Sequence, residues 1–198
     1  MKYILVLLSV VFLSGCTTVV PAVTQYKIKT QVVASEQNAQ KCRNKSLKIA
    51  QAFSESSLRS SYMNYSQGQN KEYAYSQAEW SESPNISISL ELLKHLKASK
   101  LFKSVVNSKS RSRSDMILEI NIEDFMQYFN EDSTSSYSVV ALDLTLIDTK
   151  TSSVVATQRF KVKVDTKTLD AEGGVIALSD ALDKVIKQNI KWLNGVCE

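Results

Sequence analysis

The strongest constraint on the fold lies in residues 115–165, where hydrophobicity alternates with a period of two through three consecutive segments. In Asp115 to Tyr128, Met116, Leu118, Ile120 and Ile122 take one side, and Glu119, Asn121 and Glu123 the other. Ser138 to Ile147 repeats the scheme, with Val140, Leu142, Leu144 and Leu146 against Asp143 and Thr145. After the turn Asp148-Thr149-Lys150-Thr151, Val154 to Asp165 sets Phe160, Val162 and Val164 against Arg159, Lys161 and Lys163. Successive strand side chains point to opposite faces, so this pattern predicts an antiparallel meander with one face on a core and one in water. Acidic and basic rows become neighbours on the wet face, which helps to fix register. Glu123 and Asp124, adjacent in a strand, are expected on opposite faces and so form no acid pair.

The dry face needs a cover, and two segments with helical periodicity supply it. Ser83-Pro84 is a helix start, with the hydroxyl at N-cap and proline at the first helical position. Ile86, Leu90, Leu93 and the stem of Lys97 are predicted on one face, with Leu92 and Leu96 beside it and an end near Ser99. His95 falls on the polar side of this helix and is expected at the surface. Gly173-Gly174 precedes a second amphipathic helix, Val175 to Leu193, with Leu178, Leu182, Val185, Ile186, Ile190 and Leu193 as its apolar stripe.

Of the rest, Tyr26 to Val33 and Lys45 to Phe53 read as strands, and Ser54 to Ser61 as a loop. Ser61–Ser66 and Glu72–Glu79 form a hairpin about Gly68 and Asn70. Val105-Val106 is a short strand, and Asn107 to Ser114 a solvated loop. The order predicts an α+β two-layer sandwich, a largely antiparallel sheet with two amphipathic helices packed on one face. Tyr62, Tyr65, Tyr73, Tyr75 and Trp80 crowd the hairpin; cross-strand packing over a core is the first reading, a ligand face the second.

The amino terminus carries a different message. Met1-Lys2 is a short positive stretch, and Ile4 to Leu13 an apolar run of roughly ten residues, too short to cross a bilayer that needs roughly 20. Leu13-Ser14-Gly15-Cys16 resembles the bacterial lipobox at every position. Small residues at 14 and 15 let a peptidase reach the bond before Cys16, whose thiol can take a diacylglycerol. The plainer alternative is an ordinary signal peptide with Cys16 incidental. On the lipobox reading, residues 1–15 are removed, 16–25 are a lipidated (palmitate-type) terminus and tether, and 26–198 form a single periplasmic α+β domain. Each buried methylene contributes about 0.8 kcal/mol, so three chains hold a protein on a membrane almost permanently. Thr17 stands where an aspartate would retain such a protein at the inner membrane, so sorting to the outer membrane of a Gram-negative bacterium is expected.

Cys42 and Cys197 then remain, an even pair and a disulfide candidate in an oxidising compartment. Catalytic tracks are missing: no G-x-S-x-G elbow, no Gly-rich phosphate loop and no metal-ligand spacing. The expectation is no enzyme, no cofactor and no metal. A net charge of +4 is too mild, and too unaccompanied by a fold signature, for a nucleic-acid binder. Lys41, Arg43, Lys45 and Lys48 make one basic cluster, and Lys100, Lys103, Lys109, Arg111 and Arg113 another. Both read as solvated surface, with contact to anionic headgroups as the alternative.

From Tyr73 to Val106 the chain resembles a known family. Tyr73, Tyr75 and Trp80, then Pro84, then Leu93, Leu96 and Ser99, then Leu101, Phe102, Val105 and Val106 follow its pattern of an aromatic strand, a proline-started helix and an "F-x-x-V-V" exit. "ILEINIEDFMQYF", "VVALDLTLIDTKTSSVVATQRFKVKV" and the closing helix with Trp192 also match. The family is that of the ABC-type transport auxiliary lipoproteins, the PqiC-like proteins that accompany MCE-domain lipid transporters. The segment "FSESSLRSSYMNYSQG" departs from it, and Cys42 and Cys197 are not general family features. The resemblance implies an outer-membrane lipoprotein on the periplasmic side. It would dock an MCE-domain substrate-binding protein of an ABC transporter, so that phospholipid or a similar apolar cargo passes between membranes. A structural or assembly lipoprotein, serving a secretin or lipopolysaccharide-export channel, is the rival reading. Self-association as a homo-oligomer is left open.

Overall fold

The computed structural model describes residues 21–32 and 42–197. The lipobox, Cys16, Lys41 and Val33 lie outside the described residues. Eight strands form one mixed sheet, largely antiparallel by length: β1 (Thr24–Tyr26), β2 (Ser46–Ile49), β3 (Tyr62–Gln67), β4 (Lys71–Trp80), β5 (Ser104–Val106), β6 (Met116–Phe129), β7 (Ser136–Asp148) and β8 (Ser153–Asp165). Two helices, α1 (Pro84–Ala98) and α2 (Ala171–Val196), pack on one face, giving the α+β sandwich.

The meander β6–β7–β8 is its backbone, antiparallel throughout. Leu118, Ile120, Ile122, Leu142, Leu144 and Leu146 turn inward against Ile88, Leu92, Leu96, Leu182 and Ile186 from the helices. β6 is long enough for two short strands to share its other edge end to end. β2 pairs parallel with Met116–Leu118, and β3 parallel with Gln127–Phe129. Between them Phe53 makes a single parallel bridge to Asn121. The predicted strand Lys45–Phe53 is therefore a short strand, a kink and a bridge, with a single 3-10 turn, Ser57–Arg59, in the loop that follows.

The regular alternation of β6 is broken once. Ile122 faces Leu142 but Asp124 faces Ala141, so Glu123 is an extra, bulged residue. The phase slips by one: Phe125, Gln127 and Phe129 are buried after the bulge, where even-numbered residues were buried before it. Glu123 and Asp124 consequently both lie on the outer face, contrary to the expectation of opposite faces.

Three more expectations are corrected. The strand expected over Tyr26–Val33 is confined to Thr24–Tyr26, which pair with Ala78–Trp80. Residues 27–32 instead strap the two helices. The Lys29 amide donates to Ser179 Oγ at 3.4 Å, and the Gln31 amide to Asp183 Oδ1 at 3.2 Å. Thr30 meets Glu91 and His95. That strap is why α1 buries Ile88, Leu92 and Leu96 together with Glu91 and His95, while Leu90 stays 41% exposed. His95, expected at the surface, is only 2% exposed.

Helix α2 begins at Ala171, four positions ahead of the expected Val175, because Asp170 caps it by accepting from the Gly173 amide at 2.8 Å. Both glycines lie inside the first turns for steric reasons. A Cβ on Gly173 would stand 2.3 Å from the Thr168 carbonyl oxygen, and one on Gly174 2.0 Å from Gln127 Oε1. At its far end α2 reaches Cys197, whose Cα lies 5.3 Å from that of Cys42 with the two sulfurs bonded.

Candidate functional site

The hairpin β3–β4 presents a ladder of rings. Tyr65 faces Tyr73 across the pair with centroids 5.6 Å apart, and also packs on Tyr75 at 4.6 Å and Phe129 at 5.3 Å. The Tyr75 hydroxyl donates to Gln127 Oε1 at 2.9 Å, and Gln127 Nε2 donates to Ser136 Oγ at 3.0 Å, which in turn meets Thr166 Oγ1. Burial, then the nearby Tyr65 and Asp170, push the Tyr75 hydroxyl above its ordinary range, so it stays a neutral donor. Gln127 is the hub of this chain.

Beside the hairpin, on the outer face, the bulge gathers carboxylates. Glu55, Glu72, Glu123 and Asp124 line a cleft of about 380 Å³ with Lys71 at its rim. Glu123 pairs with Arg159 of β8. Asp124 Oδ1 accepts from the Tyr128 hydroxyl at 2.9 Å, and the Tyr128 ring stacks on Tyr137 at 5.4 Å, with the Lys163 amine 3.5 Å from the centroid of the Tyr137 ring. Burial pushes the Asp124 carboxyl up to about 6; Tyr128 and Lys161 oppose that rise, and Glu123 and Glu55 add to it. Asp124 can take up a proton near neutrality. Among the described residues no group of three or more His, Cys, Asp or Glu side chains is placed to hold a metal.

His95 belongs to a different site, the strap. Thr30 Oγ1 donates to Glu91 Oε2 at 2.6 Å and lies 2.7 Å from His95 Nε2. With the threonine proton committed to Glu91, the imidazole must donate, which assigns the Nε2–H tautomer. Glu91 is held further by Lys94. Burial lowers the His95 pKa, against the raising influence of Asp183 and Glu91, so the ring is neutral. It is a latch between strap and helix.

The family-pattern residues do not converge on one surface. Trp80 packs on Phe125 at 5.8 Å, and Trp80, Pro84, Leu96, Ser99, Phe102 and Val105 are all buried. Ser99 closes α1, its hydroxyl donating to the Leu96 carbonyl at 2.9 Å. Tyr73 is exposed, while Tyr75 and Val106 are half-buried.

The described members of the two basic clusters, far apart in sequence, are brought together. β5 pairs parallel with β2, setting Ser104 to Val106 beside Ser46 to Lys48, and the Lys103 amide donates to the Lys45 carbonyl at 2.9 Å. Lys48 Nζ reaches across to the carbonyls of Ser112, at 2.8 Å, and Ser110, at 3.1 Å, fixing the 107–114 loop over β2. Asp115 pins its end: the amide and hydroxyl of Ser46 both donate to Asp115 Oδ2 at 2.7 Å, which holds that carboxyl below its usual range.

A family profile described as the ABC-type transport auxiliary lipoprotein component matches residues 26–188. A search of curated proteins gives no match. Among solved structures, protein XCC0632 from Xanthomonas campestris superposes with a TM-score of 0.76 at 18% identity, covering 87% of this chain and 95% of its own. An uncharacterised protein gives 0.67 at 12% identity, over 87% of this chain and 99% of its own. Protein CT253 from Chlamydia trachomatis gives 0.52 at 7% identity, over 78% and 98%. At such identities these likenesses speak for the fold alone. Among the described residues no helix is long and apolar enough to cross a membrane. The profile spans β2 to β8, α1 and about two thirds of α2, and on that match the chain belongs to the family of ABC-type transport auxiliary lipoprotein components.

Proposed function

We propose that acylated Cys16 anchors this protein to the periplasmic face of the outer membrane. There it acts, without catalysis, as the docking component for an MCE-domain substrate-binding protein of an ABC transporter that moves phospholipid or a similar apolar cargo. The observation that carries this reading is the family match over residues 26–188. The interior supports a docking rather than a carrying role. Leu47, Ile88, Leu92, Leu118, Leu142 and Leu182 fill the space between sheet and helices. Cargo would pass through the partner, and this domain would hold the partner's end at the membrane.

In-cell crosslinking followed by purification tests the partner. Recovery of an MCE-domain protein supports the proposal; recovery of a secretin or β-barrel channel without one replaces it by the assembly reading. Mass spectrometry of the mature first residue tests the anchor, with triacylated Cys16 expected and an unmodified cysteine overturning it.

A further inference from the structure

We infer that the basic loop over β2, together with the groove beside it, is a docking surface for an acidic, apolar-anchored segment of a periplasmic protein partner. The groove, of about 330 Å³, is lined by Ile49, Ala50, Ile86 and Leu90, with Glu82 and Lys109 among its polar lining; the one carboxylate leaves the groove to an apolar side chain and the cations of the loop to its acidic neighbours. Leu90 is the large apolar side chain of α1 left exposed. From Lys109 the loop continues with exposed Arg111 and Arg113. Two carbonyls held by Lys48 and the contact between the Ser110 and Ser112 hydroxyls at 2.9 Å keep the loop ordered, so its cations are presented rather than trailing. An apolar floor beside a built row of cations suits a side chain such as leucine flanked by carboxylates.

The direction of the chain favours a protein over the bilayer as occupant. β1 runs parallel to β4, β4 antiparallel to β3, and β3 parallel to β6. β1 therefore runs against β6, and its Thr24 end points toward the Phe129 end. The basic loop lies at the opposite end, where β6 begins. Given the anchor proposed for Cys16, the membrane is approached from the Phe129 end and the basic end is presented to the periplasm. This orientation rests on the proposed anchor, whereas the surface itself does not.

The full chain, reconstituted in phosphatidylethanolamine nanodiscs, would be titrated with a fluorescein-labelled peptide of alternating leucine and glutamate, and with its glutamine counterpart. Anisotropy should show saturable binding of the glutamate peptide, weakening with salt. Binding should be about tenfold weaker for the glutamine peptide and for either of two exposed-site variants, Lys109→Glu/Arg111→Glu/Arg113→Glu or Leu90→Ser. Equal binding of both peptides, or none, overturns the inference. Displacement of the peptide by vesicles containing phosphatidylglycerol would assign the surface to lipid instead. Light scattering that shows an oligomer dissolving in the triple variant would assign it to a second copy. Either result also overturns the inference. The same titration on Cys16→Ser protein free in buffer should give the same binding, and failure of the wild type to enter nanodiscs would count against the anchor alone, so the two proposals fail separately.

Discussion

Replacing Gly174 by alanine puts one methyl group where the polar hub of the fold already stands. The new Cβ would lie 2.0 Å from Gln127 Oε1 and 2.8 Å from its Cδ, so the amide must move. Gln127 is buried and ties Tyr75 to Ser136, and moving it breaks those bonds. Overpacking costs about 1–3 kcal/mol. Leaving buried polar groups unpaired costs about 1–3 kcal/mol more. Alanine's higher helix propensity returns about 1 kcal/mol. The net is a loss of about 1–5 kcal/mol, centred near 3. For a chain of this size that lowers Tm by about 6–12 °C at the centre of the range. Gly195→Ala in the same helix is the control. Nothing lies within 4 Å of its Cβ, so only the propensity gain remains and Tm should rise slightly. Thermal unfolding followed by circular dichroism measures both. Gly174→Ala melting at or above the wild type would refute the role given to Gln127.

Two further outcomes are expected. Because the folded state holds the Asp124 proton more tightly than the unfolded chain, its contribution is fully present below the ordinary carboxyl range and is lost as pH rises through about 6. Each tenfold of proton affinity is about 1.4 kcal/mol, and partial exposure reduces the total. Asp124→Asn, which keeps an acceptor for Tyr128, should thus be about 1–2 kcal/mol more stable than wild type well above pH 6. It should differ little at acid pH, and an equal difference at both would exclude the burial account. Cys42→Ser should lose about 2–5 kcal/mol under oxidising conditions, with reductant lowering the wild type to match. Coincident melting of all three samples would show that no such bridge contributes.

The meander could be read from the sequence because a solvated sheet face imposes alternation residue by residue. The bulge hid behind Glu123-Asp124, since two adjacent polar residues conceal a change of phase. Phe125 and Phe129, odd-numbered after an even-numbered apolar run, were the signal that would have found it. The burial of His95 had no local signature, because its partner Thr30 lies 65 residues away. Apolar residues on several sides of α1 left its inward face ambiguous, and the strap chose between them. The joining of the basic clusters likewise depended on a parallel pairing of β2 with β5, which neither strand announces. Asp170 was a readable cap for α2, but two glycines there pass for a linker until the close approach of Gln127 explains them.

The way the first described residues are fastened has a mechanical consequence. A pull entering through the amino terminus meets only three paired residues in β1 and then the side-chain contacts of the strap, which yield one after another like stitches. At Cys42 the load meets a covalent bond into the far end of α2. Tension that arrives at Cys42 is therefore shared with the longest described helix instead of falling on the short strand β2 alone.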